Sequence, residues 1–520
     1  MVIISTVITG VLYTRDNPTL QKDTLFSWSN RLLYTIAFAF EDARGATAAA
    51  TSSLGGTTLT YDASAHAESI PVLIYHGILP KEDPSTTNMT AALFREHLFA
   101  LKRAGYQTVG LKELYAFGRG ERTLPEKSVV ITFDDGRGDS FYNGDPTLAA
   151  VDYKAVMFPI TKFSQETTLG GYYLSFPELK KMKETGRWEI GSHSHEGHAS
   201  YPINAIGKTG HFFSNYLWKE SEGRPETETE FRSRINEDFR ISQAALENLL
   251  DEKVRSFAFP FGDLGQNQKD NEEKVAAIIE EASEHYDMLF YQYQPGEYFT
   301  QFYPDTNSSS DTLLIRRIDV KDTWSGDELL SALERGSPKE LPYYDQFTHD
   351  RGWVAAWGSY RIADRTLRME AAPASTGASI ILDGTKHWTD YTIRARLVSP
   401  NQTGFLVWAR FQNDNNNAGC NFGKNFVHVE QIVDGEKRVI KGIREENIIP
   451  EGPFSATVAM EGRSLSCSIN GTTLVETEFL DPSLEHGGVG IKIWDPVPGE
   501  SSLILESLSI SLASTTLSTP

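Results

Sequence analysis

The stretch SVVITFDDG, residues 128–136, decides the fold class of this chain. Its first six residues are mostly β-branched and apolar, which predicts a strand covered on both faces, as in a parallel sheet. A second apolar run, Trp188–Ile190, leads into GSHSHEGH, residues 191–198. Because ligands gather at the carboxyl ends of parallel strands, we expect both polar stretches to lie on one rim of the sheet.

Outward from these stretches, predicted strands alternate with predicted helices from residue 70 to about residue 335. This alternation predicts an α/β fold of the (β/α) barrel type, distorted or with fewer than eight units. From Tyr344 the pattern changes to short alternating strands with turns at Asp434-Gly435 and Asn470-Gly471, which is typical of an antiparallel β-sandwich of jelly-roll type. The predicted domains are therefore 70–340 and 344–512, after an N-terminal segment, 1–69.

The charge balance limits the partners of the protein. Its 520 residues include 49 Lys and Arg against 70 Asp and Glu, for a net charge of -21. Phosphate binding needs clustered cations, so we expect no nucleic-acid partner. The two cysteines, Cys420 and Cys467, are consistent either with a disulfide in an oxidising compartment or with two buried thiols.

The N-terminal segment indicates export. Met1–Tyr13 and Leu32–Phe40 are apolar but too short to span a bilayer, and Ala43–Ser69 has the Ala, Thr, Ser and Gly content of a flexible linker. A truncated signal peptide or a peripheral anchor to membrane or cell wall fits this pattern. The expected location is extracellular or at the cell surface, and the sequence makes no prediction of the oligomeric state.

The two polar stretches carry the groups of a metal-dependent hydrolase. Asp135 with two histidines would hold a divalent ion with one position open, while Asp134 would accept a proton. The spacing leaves two histidine pairs open, because His193 and His195 face one side if the strand continues, whereas His193 and His198 require a turn. Two histidines and one carboxylate suit hydrolytic zinc or non-haem iron, and the spare aspartate favours hydrolysis.

Two other features stand near these groups in the sequence. His76 ends a predicted strand, and an ordinary structural histidine is the favoured interpretation of that residue taken alone. Residues 200–230 are rich in Gly, aromatic and acidic residues without clear periodicity, which predicts a functional loop, here a lid.

The motifs resemble the polysaccharide deacetylases of the NodB homology domain, carbohydrate esterase family four. TFDDG, residues 132–136, is similar to the first motif of that family, in which the first Asp is the base and the second a metal ligand. HSHEGH, residues 193–198, is similar to the second motif, which implies His193 and His198 as ligands and His195 as an accessory residue. The longer histidine spacing resembles the branch that deacetylates poly-N-acetylglucosamine.

The same branch implies roles for residues elsewhere in the chain. PVLIYH, residues 71–76, is similar to its permuted acid motif and makes His76 the catalytic acid. FPFG, residues 259–262, is similar to the third motif, with the Phe261 amide at the oxyanion and Pro260 beside it. Many members have Arg where this chain has Ala258. No secure fourth motif is found, although the region of Arg317, Asp319 and Trp324 is the place for it.

The C-terminal part resembles a concanavalin-like (laminin-G-like) sandwich in WTDY, residues 388–391, and GGVGI, residues 487–491. Such sandwiches often bind sugars, and Trp353, Trp357, Trp408 and Trp494 are candidates for stacking on pyranose rings or for the core.

Together these resemblances imply an exported, metal-dependent enzyme that removes N-acetyl groups from a β-linked N-acetylglucosamine-type polysaccharide. The implied ion is Zn²⁺, with Co²⁺, Ni²⁺ or Mn²⁺ as alternatives. Two other activities use the same chemistry, namely O-acetyl ester hydrolysis on acetylxylan and deacetylation of peptidoglycan. A catalytically inactive carbohydrate-binding surface protein is the alternative of another class.

Overall fold

The computed structural model describes residues 66–83, 88–266, 271–292, 298–304, 310–399, 404–495 and 497–513. The apolar segments predicted near the N-terminus and most of the linker lie outside the described residues. Within the described residues, no helix combines the length and apolarity needed to cross a membrane. The chain groups into two compact units, one from the described parts of Met1–Tyr293 and Gln301–Leu330, the other from those of Gln294–Thr300 and Ser331–Pro520.

The first unit alternates strands and helices. Its strands are Val72–Tyr75 (β1), Ile78–Leu79 (β2), Met89–Thr90 (β3), Gln107–Thr108 (β4), Ser128–Phe133 (β5), Ala155–Met157 (β6), Trp188–Ile190 (β7), Ser200–Pro202 (β8), Thr209–His211 (β9), Trp218–Lys219 (β10), Arg224–Pro225 (β11), Ser256–Ala258 (β12), Met288–Gln292 (β13) and Leu313–Asp319 (β14). Its helices are Ala91–Arg103 (α1), Leu111–Gly118 (α2), Gly138–Val151 (α3), Thr161–Glu166 (α4), Phe176–Glu184 (α5), Glu228–Leu250 (α6) and Glu272–Ser283 (α7), and Gly326–Gly336 (α8) runs across the boundary between the units.

The central sheet of this unit has the parallel order β12-β13-β14-β1-β5-β6-β7, with β4 paired to β5. Ser192, just beyond β7, forms a parallel bridge with Phe257 of β12, so the two ends of this path meet. The predicted barrel-type fold with fewer than eight units is confirmed. All six residues of β5 are buried, as expected for a strand covered on both faces.

The second unit is antiparallel throughout its described strands. They are Tyr343–Asp345 (β15), Trp353–Trp357 (β16), Ser359–Ala363 (β17), Thr366–Glu370 (β18), Gly377–Leu382 (β19), Tyr391–Ser399 (β20), Gly404–Phe411 (β21), Asn417–Gly423 (β22), Phe426–Val433 (β23), Glu436–Arg444 (β24), Phe454–Glu461 (β25), Ser464–Ile469 (β26), Thr472–Thr477 (β27), Gly488–Trp494 (β28) and Ser502–Leu512 (β29). One sheet has the order β17-β18-β29-β20-β25-β26-β27 with β15 on β29, and the other has β16-β19-β28-β21-β22-β23-β24.

These two sheets enclose one apolar core, so the predicted sandwich is confirmed. Both predicted hairpin turns are present, because Asp434-Gly435 joins β23 to β24 and Asn470-Gly471 joins β26 to β27, with positive φ at all four residues. A disulfide between Cys420 of β22 and Cys467 of β26 crosses the core and joins the two sheets. The sequence had left this pairing open.

Candidate metal and catalytic centre

Asp135, His193 and His198 are the one group of three or more His, Cys, Asp or Glu side chains among the described residues with the geometry of a metal site. Their ligand atoms all lie within 4.8 Å of one another. Asp135 Oδ1 is 3.6 Å from His193 Nε2 and 3.2 Å from His198 Nε2. The structure thus brings together the three residues that the resemblance implied as ligands.

The Asp135 carboxylate fits a cation. Its Oδ1 atom is buried and, although two imidazole nitrogens lie within 3.6 Å of it, neither contact has hydrogen-bond geometry, an arrangement that is costly unless a cation approaches. Burial by itself raises the pKa of Asp135, but contact with His198 and the nearby His193 and His76 outweigh it and bring the pKa well below the usual range. An ionised carboxylate beside two imidazoles is a common donor set for Zn²⁺ and related ions.

His193 is held in the tautomer that a metal ligand requires. Its Nδ1 atom lies 2.8 Å from the carbonyl oxygen of Ala258, and a carbonyl can only accept, so Nδ1 carries the proton. The Nε2 lone pair then faces Asp135. Burial lowers the pKa of His193 to about 4, which keeps the ring neutral at physiological pH.

The backbone at Ser194 separates His198 from His195. Ser194 has φ of 72°, so the chain turns immediately after His193 instead of continuing as a strand. His195 consequently turns away, with Nδ1 3.0 Å from Thr161 Oγ1. Gly197 lies against Phe213, where a Cβ atom would meet the ring at 2.2 Å, and this close approach allows the loop to return with His198.

Asp238 holds this loop in place, a role that sequence reasoning missed. It lies on α6, is almost fully buried, and accepts hydrogen bonds from the backbone N–H groups of His195 at 3.0 Å and Glu196 at 2.7 Å. Burial raises the pKa of Asp238 to about 6, and the two backbone donors oppose that shift. An acidic residue within the apolar stripe of α6 was the available signal.

Asp134 is paired with Arg317 of β14. The guanidinium donates two hydrogen bonds, at 2.6 Å to Oδ1 and 2.7 Å to Oδ2, and both side chains are almost completely buried. Burial raises the pKa of Asp134, but the Arg317 charge outweighs it, so the pKa lies below its ordinary value. Asp134 Oδ2 is also 3.8 Å from His193 Nε2, next to the ligand group.

Arg317 therefore supplies the counter-charge for Asp134. The sequence had only placed Arg317 in a region of interest. An arginine inside the apolar run of β14 was the signal, since a buried guanidinium needs an acidic partner.

A cavity of about 320 Å³ contains His76, Asp135 and Asp319 in its lining, together with Arg137 and Asn88. His76 thus shares a cavity with Asp135, one of the proposed metal ligands. Asp319 accepts a hydrogen bond from Lys321 at 2.6 Å at the same wall.

Trp324 is not part of this cavity lining. Its backbone carbonyl accepts a hydrogen bond at 2.6 Å from the buried His97, which is a core contact.

Phe261 closes the other side of the ligand group. Its ring lies between His198, with centroids 4.5 Å apart, and His211, 4.2 Å apart and nearly parallel. The residue adopts φ of 60° in the turn that begins at the buried Pro260, a conformation rare for a bulky residue and often found at functional sites.

His211, which gave no signal in the sequence, donates a hydrogen bond from Nδ1 to Asp263 Oδ2 at 2.6 Å. His211 is the last residue of β9. The region predicted as an irregular lid contains two short hairpins, β8–β9 and β10–β11.

Comparison with known proteins agrees with this geometry. Residues 121–277 match the family model described as polysaccharide deacetylase. Over 185 residues, or 34% of this chain, the sequence is 29% identical to the poly-beta-1,6-N-acetyl-D-glucosamine N-deacetylase of Escherichia coli, covering 27% of that protein. It is 26% identical over 37% of its length to the protein of the same name in Staphylococcus epidermidis, covering 57% of it.

A third relative, the putative polysaccharide deacetylase YxkH of Bacillus subtilis, is 30% identical over 22% of this chain and 39% of its own length. The chain spans only about a quarter of the Escherichia coli relative. The match lies in the first unit and includes Asp134, Asp135, His193 and His198, so this unit contains a polysaccharide deacetylase domain.

Proposed function

We propose that this chain, whose first unit contains a polysaccharide deacetylase domain, is a metal-dependent N-deacetylase of a β-linked N-acetylglucosamine-type polysaccharide. The observation that carries the proposal is the ionised Asp134, fixed by Arg317 beside the Asp135, His193 and His198 group. A proton acceptor next to a cation site is what amide hydrolysis by water requires.

A divalent ion held by Asp135, His193 and His198 would supply Lewis acidity and make a nearby water molecule more acidic. Asp134 accepts the proton of the attacking water. Both of its oxygens bond to Arg317, but each carboxylate oxygen has a second lone pair, so it can still accept. The water oxygen adds to the carbonyl carbon of the acetamide group.

The Phe261 amide donates to the oxyanion that develops on the carbonyl oxygen. His76 gives a proton to the departing nitrogen as the carbon–nitrogen bond breaks. Acetate and a free amine on the sugar are the products, and the proton taken by Asp134 restores the acid.

The walls of the site suit a sugar polymer. Tyr172 and Phe261 expose 60% and 37% of their surfaces, which is unusual for large aromatic residues and provides faces for pyranose rings. Phe261 contacts the ligand residue His198, and Tyr172 lies under the guanidinium of the cavity residue Arg137 at 4.9 Å. The relatives named N-deacetylases of poly-beta-1,6-N-acetyl-D-glucosamine support an N-acetylated substrate over an O-acetylated one.

We also infer export to the extracellular space or cell surface, with Zn²⁺ as the ion. The disulfide between Cys420 and Cys467 supports export, because disulfides persist in oxidising compartments and are rare in the cytosol.

Acetate release from purified protein tests the activity. The substrates are β-1,6- and β-1,4-linked N-acetylglucosamine oligomers, acetylxylan and peptidoglycan, each with and without added Zn²⁺ after chelation. We expect release from an N-acetylglucosamine oligomer, restored by metal and abolished in Asp134→Asn. Release from acetylxylan alone would overturn the N-deacetylase proposal, and release from no substrate would favour the inactive sugar-binding alternative.

A further inference from the structure

The outward face of one sandwich sheet carries a row of aromatic side chains. In β28, Val489, Ile491 and Ile493 point into the core, so the alternating Lys492 and Trp494 point outward. In β23, Val427 and Val429 belong to the core. The alternating residues Phe426, His428 and Glu430 therefore lie on the same outward face as Lys492 and Trp494. Trp494, Phe426 and His428 are half-buried on this face.

The three rings are nearly parallel. Phe426 lies 6.4 Å from Trp494 at an interplanar angle of 17°, and 4.8 Å from His428 at 8°. Glycines beneath them make this possible, because a Cβ atom on Gly404 would come within 2.7 Å of the Trp494 ring and one on Gly423 within 2.2 Å of Phe426. The sheet thus presents an aromatic row, which we define as Trp494, Phe426 and His428.

A buried amide oxygen without a partner lies beside the aromatic row. Asn421 is opposite His428 in the register of β22 and β23 and is only 6% exposed. Its Nδ2 donates at 2.9 Å to Glu430 Oε2, and because a carboxylate only accepts, the assignment of the amide nitrogen is settled. Asn421 Oδ1 is then an acceptor for which the described residues offer no donor.

The Glu430 carboxylate on this face is compensated. Glu430 accepts from His428 Nε2 at 2.7 Å and from Lys437 Nζ at 2.9 Å. Lys492 lies over the ring of Trp357, 5.6 Å from its centroid.

We propose that the aromatic row with Asn421 is a second glycan site, which binds the polymer in its N-acetylated form. Pyranose rings place their apolar C–H faces on aromatic rings, and the acetamido N–H is a neutral donor of the kind that Asn421 Oδ1 lacks. The choice of an N-acetylated sugar rests on the proposed function, whereas the pyranose site rests on the sandwich alone. All residues proposed for deacetylation lie in the other unit.

The structure excludes two of the four tryptophans that the sequence suggested for sugar stacking. Trp353 and Trp408 are 3% and 4% exposed, with indole N–H groups donating to Asp345 and Asn417, so they are structural. Trp494 and Trp357 are instead half-buried.

Equilibrium binding to the full chain carrying Asp134→Asn tests the site without turnover. The probes are an N-acetylglucosamine oligomer, the corresponding glucosamine oligomer and a xylan oligomer. Trp494→Ala and the milder Phe426→Leu should weaken binding of the N-acetylglucosamine oligomer about fivefold or more, the scale of one lost aromatic contact. Phe479→Ala, at a 75% exposed aromatic of the same unit, is the matched control and should bind normally.

Acetate release from a short oligomer is measured in the same variants with Asp134 restored. Unchanged release with weakened binding is the expected result. Weakened binding of xylan instead of the N-acetylated oligomer would overturn the sugar assigned, and equal binding by Trp494→Ala, Phe426→Leu and the control would overturn the site itself. If no variant and no control releases acetate, the proposed function is contradicted, but the binding measurements still decide whether the sandwich carries a glycan site.

Discussion

Replacing Arg317 by methionine should destabilise the fold and remove the proton acceptor together. The guanidinium and the Asp134 carboxylate are 0% and 2% exposed and share two hydrogen bonds, so the substitution leaves a buried carboxylate without a counter-charge. Breaking one partner of such a pair costs about 3–5 kcal/mol. This loss is a large share of the stability of a typical domain.

The cost should depend on pH in a defined direction. In the native chain the pKa of Asp134 is depressed, so the pair contributes stability above the unfolded pKa and loses it as pH falls through the folded value. In Arg317→Met, burial without the guanidinium raises the pKa of Asp134, and the carboxyl can escape the penalty by taking up a proton. The stability deficit should therefore be largest at neutral pH and shrink as the solution becomes more acidic.

Urea unfolding at pH 7 and pH 5, with acetate release at both, measures these effects. Arg316→Met is the matched control, because Arg316 is the adjacent, partly exposed arginine of the same strand and bonds to Tyr291 instead. Adding Asp134→Asn to Arg317→Met should recover part of the lost stability, since no charge is then buried. Acetate release at pH 7 should fall about a hundredfold in Arg317→Met. A deficit equal to that of Arg316→Met, or one that does not vary with pH, would refute the reasoning.

Three further outcomes are expected. His198→Ala should lose bound metal by elemental analysis while His195→Ala keeps it, because His195 turns away from the ligand group. The reverse pattern would mean that His193 and His195, not His193 and His198, are the histidine ligands. His76→Ala should keep the metal but lose about a hundredfold or more in turnover, and near-normal turnover would return this residue to a structural role. The disulfide links two residues that are 47 positions apart in the sequence. Removing it by Cys420→Ala with Cys467→Ala should lower the free energy of unfolding by about 4 kcal/mol in denaturant titration, because the unfolded chain is no longer constrained by that loop. A change below 1 kcal/mol in that experiment would mean that the core alone holds the two sheets together.

Local patterns were enough to predict where the polar groups emerge. The apolar runs that end at Phe133 and Ile190 are buried strands in the structure, and the carboxylates and histidines follow each of them directly. The hairpin turns at residues 434–435 and 470–471 were equally readable, because Asp-Gly and Asn-Gly pairs adopt positive φ with little cost.

The contacts that complete the site could not be predicted from local sequence patterns. Arg317 and Asp134 are separated by 183 positions and meet because β14 lies beside β1, which lies beside β5. Phe261 and His211 stack across a turn and a hairpin with no shared pattern in the sequence. Asp238 reaches the histidine loop from a helix that begins 30 residues after His198 in the numbering, at Glu228.

By itself, the sequence determined the two fold classes, the strand ends that carry the polar groups, and a short set of candidate ligands. These follow from hydrophobic periodicity and turn chemistry, which act over a few neighbouring residues. The residues alone left the histidine pair open, and only the resemblance implied His198; the tertiary structure places His198 and not His195 beside Asp135, and it pairs Arg317 with Asp134. Those choices depend on one left-handed residue, Ser194, and on the order of strands in the sheet, which are set by packing of the whole unit and leave no periodic trace along the chain.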